Sequence, residues 1–305
     1  MIFINYIVMC LIFGTTFLAI KIGVDTGAPP FFSAGIRFFL AGAILLLWSV
    51  WRGKARLSLL LRKEMVLTGA ALTFGVFAAL YWAEQYISSG VAAVLSATGP
   101  LMIILLQNRA SGQKLPVSTW AGCLVGTIGV ILLVVPGVTI SFSIMWIVAS
   151  LVLLAGEFCY SAGTVYSQRV IRRFEDTSPI ALNAAQMLYG GVMLLLLSLF
   201  TESVTPASIL EPKSLLSLIY LTTAGSMVAH TIFYWLVSKT NPVFPSTWLY
   251  VSPLIALVLG ALLYHEPVSL LSAIGGITVM LGIVLVNLKS LKQLRGTNPV
   301  RSSTQ

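Results

Sequence analysis

One passage of this chain is written twice. From Tyr81-Trp82 through Thr98-Gly99-Pro100 to Gly122 and Gly129, its anchors return 153 residues later as Tyr234-Trp235, Val251-Ser252-Pro253, Gly275 and Gly282. Leu101/Leu254, Leu106/Leu259 and Leu132/Leu285 are identical across the same interval, and no gap is needed. Many of the anchors are Gly or Pro, which constrain backbone rather than merely add apolar bulk. A repeat of this length implies two structurally related halves.

Composition says where those halves reside. The chain is 58% hydrophobic and 9% charged, against ~25% charged for a soluble domain. Its apolar runs reach the ~20 residues that a helix needs to cross a ~30 Å hydrocarbon core. Barrel strands would be shorter and would alternate. The net charge of +9 sits in short loops between apolar runs, which suits membrane orientation and not nucleic acid. Cys10, Cys123 and Cys159 lie inside apolar runs without paired spacing, so no disulfide framework or metal site is written. The N-terminus lacks a basic leader and reads as a retained first helix.

The expected fold is all-α and integral to the membrane, with ten transmembrane helices in two inverted five-helix repeats. The helices are expected near 3–22, 32–51, 64–83, 91–110, 117–136, 143–164, 180–200, 214–237, 245–264 and 268–288, separated by polar, Gly- and Pro-containing loops. With the N-terminus in the cytosol, fifteen of the eighteen Lys and Arg residues fall on the cytosolic side. Lys21 and Lys213 lie outside, and Arg37 falls within the second helix. The bias predicts a multi-pass protein of the cytoplasmic membrane with both termini cytosolic. Five helices per half is an odd number, so the second half enters from the opposite side, as in alternating-access carriers. Residues 1–138 are taken as the first repeat, 139–290 as the second and 291–305 as a disordered cytosolic tail.

Several motifs resemble the EamA-type transporters of the drug/metabolite transporter superfamily. They are Phe13-Gly14-Thr15-Thr16-Phe17, Arg37-Phe38-Phe39-Leu40-Ala41-Gly42 and the stretch from Ala92-Ala93-Val94-Leu95 to Gly99-Pro100. The C-terminal passage runs from Ser252-Pro253-Leu254 through Tyr264-His265-Glu266-Pro267 to Gly275-Gly276. Order and spacing of the motifs carry the resemblance from about Leu11 to Leu288. It implies ten helices and the export or exchange of small metabolites. The family pattern has a Glu ending the fourth helix, as Glu266 ends the ninth, but this chain has Gln113 there; that Glu is read as a capping or packing residue.

Ionisable groups within the bilayer are costly and mark function by default. Glu157 reads either as a proton-coupling carboxyl or as one held in static hydrogen bonds. His230 is expected at a similar depth, facing the same cavity as Glu157, with a core histidine as the alternative. Arg37 either attracts a substrate carboxylate or phosphate, or pairs structurally with Glu84 or Asp25; Lys21 is expected to snorkel. Tyr81-Trp82 and Tyr234-Trp235 end helices at opposite faces, as two gates or as two aromatic belts. Trp248 and Tyr250 lie near Pro253 and suit a pocket wall. Pro100 and Pro253, near the middle of their helices, free backbone carbonyls at a substrate site or at packing kinks. Gly122 and Gly126 permit a close helix contact or a homodimer seam.

No nucleotide-binding loop, metalloprotease motif, nucleophile elbow or acidic magnesium site occurs, so no cofactor or metal is expected and the protein is not read as an enzyme. The leading expectation is a secondary transporter of small organic metabolites such as amino acids, an exporter or exchanger working by alternating access, with proton coupling as an addition. Its partners are the metabolite and the lipid bilayer. A membrane enzyme, an assembly protein and a passive channel remain as alternatives.

Overall fold

The computed structural model describes residues 1–111, 116–137, 143–263 and 269–296. Ten helical spans follow one another: α1 (Ile2–Asp25), α2 (Pro30–Trp51), α3 (Lys63–Ala83), α4 (Ser89–Ser96 and Gly99–Ser111) and α5 (Val117–Val134). Then come α6 (Ile144–Arg173), α7 (Pro179–Thr201), α8 (Pro212–Lys239), α9 (Val243–Ser246 and Trp248–Leu263) and α10 (Leu270–Gly296). Seven are long and apolar enough to cross a membrane by themselves; α5, α9 and α10 contribute shorter apolar stretches. Ten spans put the first and last on the same face, here called the terminal face.

The boundaries have local causes. Pro30, Pro179 and Pro212 open α2, α7 and α8, where a missing N–H breaks no helical bond. The side chains of Ser143 and Ser178 accept N–H bonds from Trp146 at 3.1 Å and Ala181 at 3.2 Å, capping α6 and α7. The carboxylate of Glu202, just past α7, accepts from the N–H groups of Phe31 and Phe32 at 2.7 and 2.9 Å. It therefore places negative charge on the exposed donors at the start of α2.

Two ends depart from expectation. α6 continues through Arg173, past the helix end expected near 164. Arg172 and Arg173 stand in its last turn, where cations suit the C-terminal dipole, and Arg173 pairs with Glu64 in the first turn of α3 at 2.7 Å. α10 likewise runs to Gly296, past the expected start of the tail at 291. Residues 297–305, Gln113, Tyr264-His265-Glu266-Pro267 and the expected 138/139 boundary lie outside the described residues.

The flanks of the helices are apolar, while a few ionisable side chains are buried. Leu47, Leu199, Leu216 and Ile277 are at least 63% exposed, whereas Arg37, Glu84 and Glu157 are at most 3% exposed. That inversion fits a chain whose solvent is lipid.

Glycines expose the internal symmetry. Along α5 and α10 the backbones touch: a Cβ on Gly122 would lie 2.8 Å from the carbonyl of Gly282, and one on Gly275 would lie 2.8 Å from that of Gly129. Gly275 and Gly282 are the copies of Gly122 and Gly129 at the 153-residue interval. Each glycine thus meets the copy of the other, the reciprocal pattern of a two-fold axis. The Gly122/Gly126 spacing serves this helix contact within the chain.

A second seam joins α2 to α7 in the same way. A Cβ on Gly42 would lie 2.6 Å from Leu188 N and 2.7 Å from Ala184 O; one on Gly191 would lie 2.5 Å from Phe39 N and 3.0 Å from Gly35 O. These contacts map onto each other at an interval of 149 residues, which also superposes Pro30 on Pro179. The two repeats therefore differ by four residues in length between the seams. The fold is two inverted five-helix repeats, paired through α2–α7 and α5–α10.

Both repeats also carry a π-helical stretch at the same place, Ala70–Gly75 in α3 and Leu221–Ala229 in α8. Wider turns of this kind shift side chains off the regular helical register and recur at functional sites.

Candidate functional site

Between the repeats lies a cavity with about 520 Å³ of space not filled by atoms, its open mouth included. Three helices of each repeat wall it. The first repeat supplies Phe13, Thr16, Phe17 and Ile20 of α1, Arg37 of α2, and Val76, Phe77 and Leu80 of α3. The second supplies Glu157 and Tyr160 of α6, His230 and Phe233 of α8, and Trp248 and Leu249 of α9. The wall is mostly aromatic and apolar with few polar groups, the usual make-up of a small-molecule site.

The π-helical stretches bond to Arg37 on that wall and to its copy in the other repeat. Arg37 Nε donates to Ser226 Oγ at 2.7 Å, inside the π stretch of α8. In the other repeat, Thr73 Oγ1, inside the π stretch of α3, donates to Gln186 Oε1 at 2.8 Å. Gln186 is the copy of Arg37 at the 149-residue interval, and Thr73 is the copy of Ser226 at 153. One architectural bond is thus made twice, once with a cation and once with an amide.

Just beyond the π stretches stand Phe77 and its copy His230, with ring centroids 5.7 Å apart and edge-to-face. His230 also meets Phe13 and Phe38 edge-to-face at 5.0 and 5.6 Å. Its Nε2 is buried with no hydrogen-bond partner.

Arg37 is 1% exposed. Besides Ser226 it donates from Nη1 to Tyr81 OH at 3.2 Å. Its guanidinium carbon lies 4.6 Å from the ring centre of Phe38 and 5.2 Å from that of Phe77, close enough for the ring faces to stabilise the charge. Neither expected structural partner pairs with Arg37. Asp25 pairs with Lys21 at 2.7 Å, and neither carboxylate oxygen of Glu84 has a hydrogen-bond partner. Lys21 does not simply snorkel: it also donates to the carbonyl of Glu84 at 2.9 Å, tying α1 to the end of α3.

Glu157 faces the interruption in α4. That helix stops at Ser96 and restarts at Gly99, so Pro100 opens the second piece rather than kinking a continuous helix. Ser161, one turn beyond Glu157, donates to the carbonyl of Gly99 at 3.2 Å. Glu157 Oε2 is packed over Gly99, 3.2 Å from where a Cβ would be, and has no hydrogen-bond partner. Pro253 lies inside the longer piece of α9, whose interruption falls earlier, at Thr247.

A second cavity of about 270 Å³ lies beyond the first, on the side away from the terminal face. Gly23 and Val24 of α1, Ser33 of α2, Tyr81 of α3, and Ser214 and Ser217 of α8 line it. Ile20 belongs to both walls, and the Arg37–Tyr81 hydrogen bond spans them.

Of the residues singled out in the sequence, Arg37, Glu157, His230 and Trp248 share the central cavity, and Tyr81 lines the second. Trp82, Pro100, Tyr234, Trp235, Tyr250 and Pro253 line neither. Trp82 lies against Tyr86, with ring centroids 5.0 Å apart and the planes tilted by 56°. Tyr250 donates to the carbonyl of Cys123 at 3.1 Å and covers Gly126, so it belongs to the α5 contact. Sequence reading missed Phe13, Phe17, Phe77, Tyr160, Phe233 and Ser226. Aromatic rings in apolar runs give no signal of facing inward, although the alignment of His230 with Phe77 was available from the repeat.

Comparison with known proteins agrees with this architecture. The model of the EamA-like transporter family matches residues 1–135 and again 146–288, once per repeat. The chain belongs to the EamA-like transporter family. The inner membrane transporter YedA of Escherichia coli K12 is 30% identical over 282 residues, covering 91% of this EamA chain and 88% of YedA. A transporter of Archaeoglobus fulgidus is 26% identical, covering 92% and 94% of the two chains. A WAT1-related chloroplastic protein of Arabidopsis thaliana is 28% identical over 287 residues, covering 90% of this chain and 66% of its own. A solved crystal structure shares the EamA fold described here with a TM-score of 0.74 at 20% identity, covering 94% of this chain and 98% of its own.

Proposed function

We propose that this membrane transporter is a secondary carrier of the cytoplasmic membrane, an exporter or exchanger of small organic metabolites such as amino acids. The observation that carries the proposal is the central cavity, walled by three helices from each of two inverted repeats. Relative movement of the halves changes which face such a site communicates with, which is the geometry of alternating access. The second cavity supports a route toward the face opposite the termini, interrupted where Ile20, Arg37 and Tyr81 meet. The basic residues collected on the terminal side favour both chain ends in the cytosol.

Energy comes from gradients in this reading. Glu157 is the carboxyl best placed to couple a proton, because it stands on the cavity wall with an unpartnered oxygen. The carrier reading is tested by counterflow in proteoliposomes made with the purified protein: preloaded metabolite should accelerate entry of labelled metabolite, with saturation. Linear, non-saturating flux would indicate a channel instead. For coupling, whatever exchange Glu157→Gln retains should lose its acceleration by an imposed pH gradient; unchanged acceleration would remove Glu157 from that role.

A further inference from the structure

Two ionisable side chains, the guanidinium of Arg37 and the carboxyl of Glu157, stand on the wall of the central cavity without pairing. Arg37 uses two of its N–H groups on Ser226 and Tyr81, and a guanidinium has five. No carboxylate among the described residues lies within ion-pair distance of it. Glu157 presents an oxygen that is buried and unpartnered. An ion pair between them would relieve both in an otherwise apolar enclosure.

In the structure the two form no ion pair, and each is held by other contacts. Arg37 is anchored to α8 and α3 by its hydrogen bonds, and Gly225 leaves so little room that a Cβ there would lie 2.9 Å from Nη2. Glu157 is packed over Gly99 at the interruption of α4. Much of the rest of the wall is rings, chiefly Phe13, Phe17, Phe77 and Trp248. Phe13 and Trp248 lie 4.4 Å apart, and Phe17 and Trp248 lie 6.1 Å apart.

We propose that the cavity selects a zwitterion with an apolar body: its carboxylate bonds to Arg37, its N–H-bearing ammonium bonds to Glu157, and its body lies among the rings. A carboxylate oxygen with free lone pairs requires N–H donors, so a primary ammonium fits and a quaternary one does not. The planar guanidinium suits a carboxylate through paired N–H bonds. The second repeat has Gln186 where the first has Arg37, so the charge belongs to this cavity and not to the repeat. The inference rests on the carrier reading for its physiological meaning, but the binding it describes is measurable without transport.

The test is calorimetric titration of the purified full-length protein in detergent, with counterflow measured on the same preparation. The probes are L-phenylalanine and L-leucine, then 3-phenylpropionate, which lacks the ammonium, and 2-phenylethylamine, which lacks the carboxylate. Both zwitterions should bind at least about tenfold tighter than either single-charge probe, the factor expected for one lost charge-assisted hydrogen bond. Arg37→Gln should abolish the preference for phenylalanine over phenylethylamine and keep that over phenylpropionate; Glu157→Gln should do the reverse. A wild-type protein that binds a single-charge probe within about threefold of both zwitterions, or binds none of the four, overturns the inference. That comparison needs no variant to fold. Zwitterion binding without counterflow would sink the carrier reading alone, and counterflow of another metabolite without zwitterion binding would sink the inference alone.

Discussion

Across the seam of α5 and α10, Gly122 meets Gly282 just as Gly275 meets Gly129. Across the central cavity the same two repeats present Arg37 where the copy is Gln186, and His230 where the copy is Phe77. Backbone contact at the seams has one geometric solution, and any side chain larger than hydrogen intrudes on it from either repeat. Cavity residues face space, so their identities are free to diverge provided the supporting bonds persist. The paired bonds Arg37–Ser226 and Gln186–Thr73 show such persistence. Symmetry therefore marks what holds the halves together, and its loss marks where they have specialised.

The largest effect should come from the seam. Gly122→Val and Gly275→Val should each destabilise the purified protein by on the order of 3 kcal/mol, since a Cβ at either site overlaps backbone. Thermal unfolding in detergent checks this, and a large loss in only one of the pair would break the two-fold description. Next in size is the supporting bond. Ser226→Ala, which strips a hydrogen-bond acceptor from a buried cation, should cost about 2 to 3 kcal/mol, against about 1 kcal/mol for Thr73→Ala in the neutral copy. Equal losses would mean that the charge on Arg37 plays no part in the asymmetry.

His230→Phe restores the symmetric residue and deletes a buried atom without a partner. Stability should hold or rise by about 1 kcal/mol while saturable transport falls; a marked drop in melting temperature would instead make His230 a packing residue. The smallest effect belongs to the helix starts. Glu202→Gln weakens a cap that α7 lends to α2 and Ser178→Ala removes one that α7 makes for itself, each by roughly 0.5 to 1 kcal/mol. A larger loss for Glu202→Gln would show that the α2–α7 seam depends on that cap.

Much of this was legible beforehand. Gly and Pro recur at 153 residues because they answer to backbone geometry, which inversion preserves, and Glu157, His230 and Arg37 stood out because charge is rare in lipid. The helix ends at Arg173 and Gly296 were underestimated, because a helix leaving the membrane becomes polar without ceasing to be a helix. The aromatic pairs misdirected attention: Tyr234 and Trp235 repeat Tyr81 and Trp82, yet only Tyr81 reaches a cavity, through its bond to Arg37.

The sequence by itself determined a membrane solvent, ten spans and an inverted duplication, because hydropathy, loop charge and repeat interval act along the chain and need no knowledge of contacts. Only the tertiary structure decided the rest: which rings face inward, that the register between repeats changes from 149 to 153, and that Arg37 and Glu157 share a cavity without pairing. Those outcomes depend on helix rotation and on the approach of distant backbones, which close packing sets once all ten helices are in place.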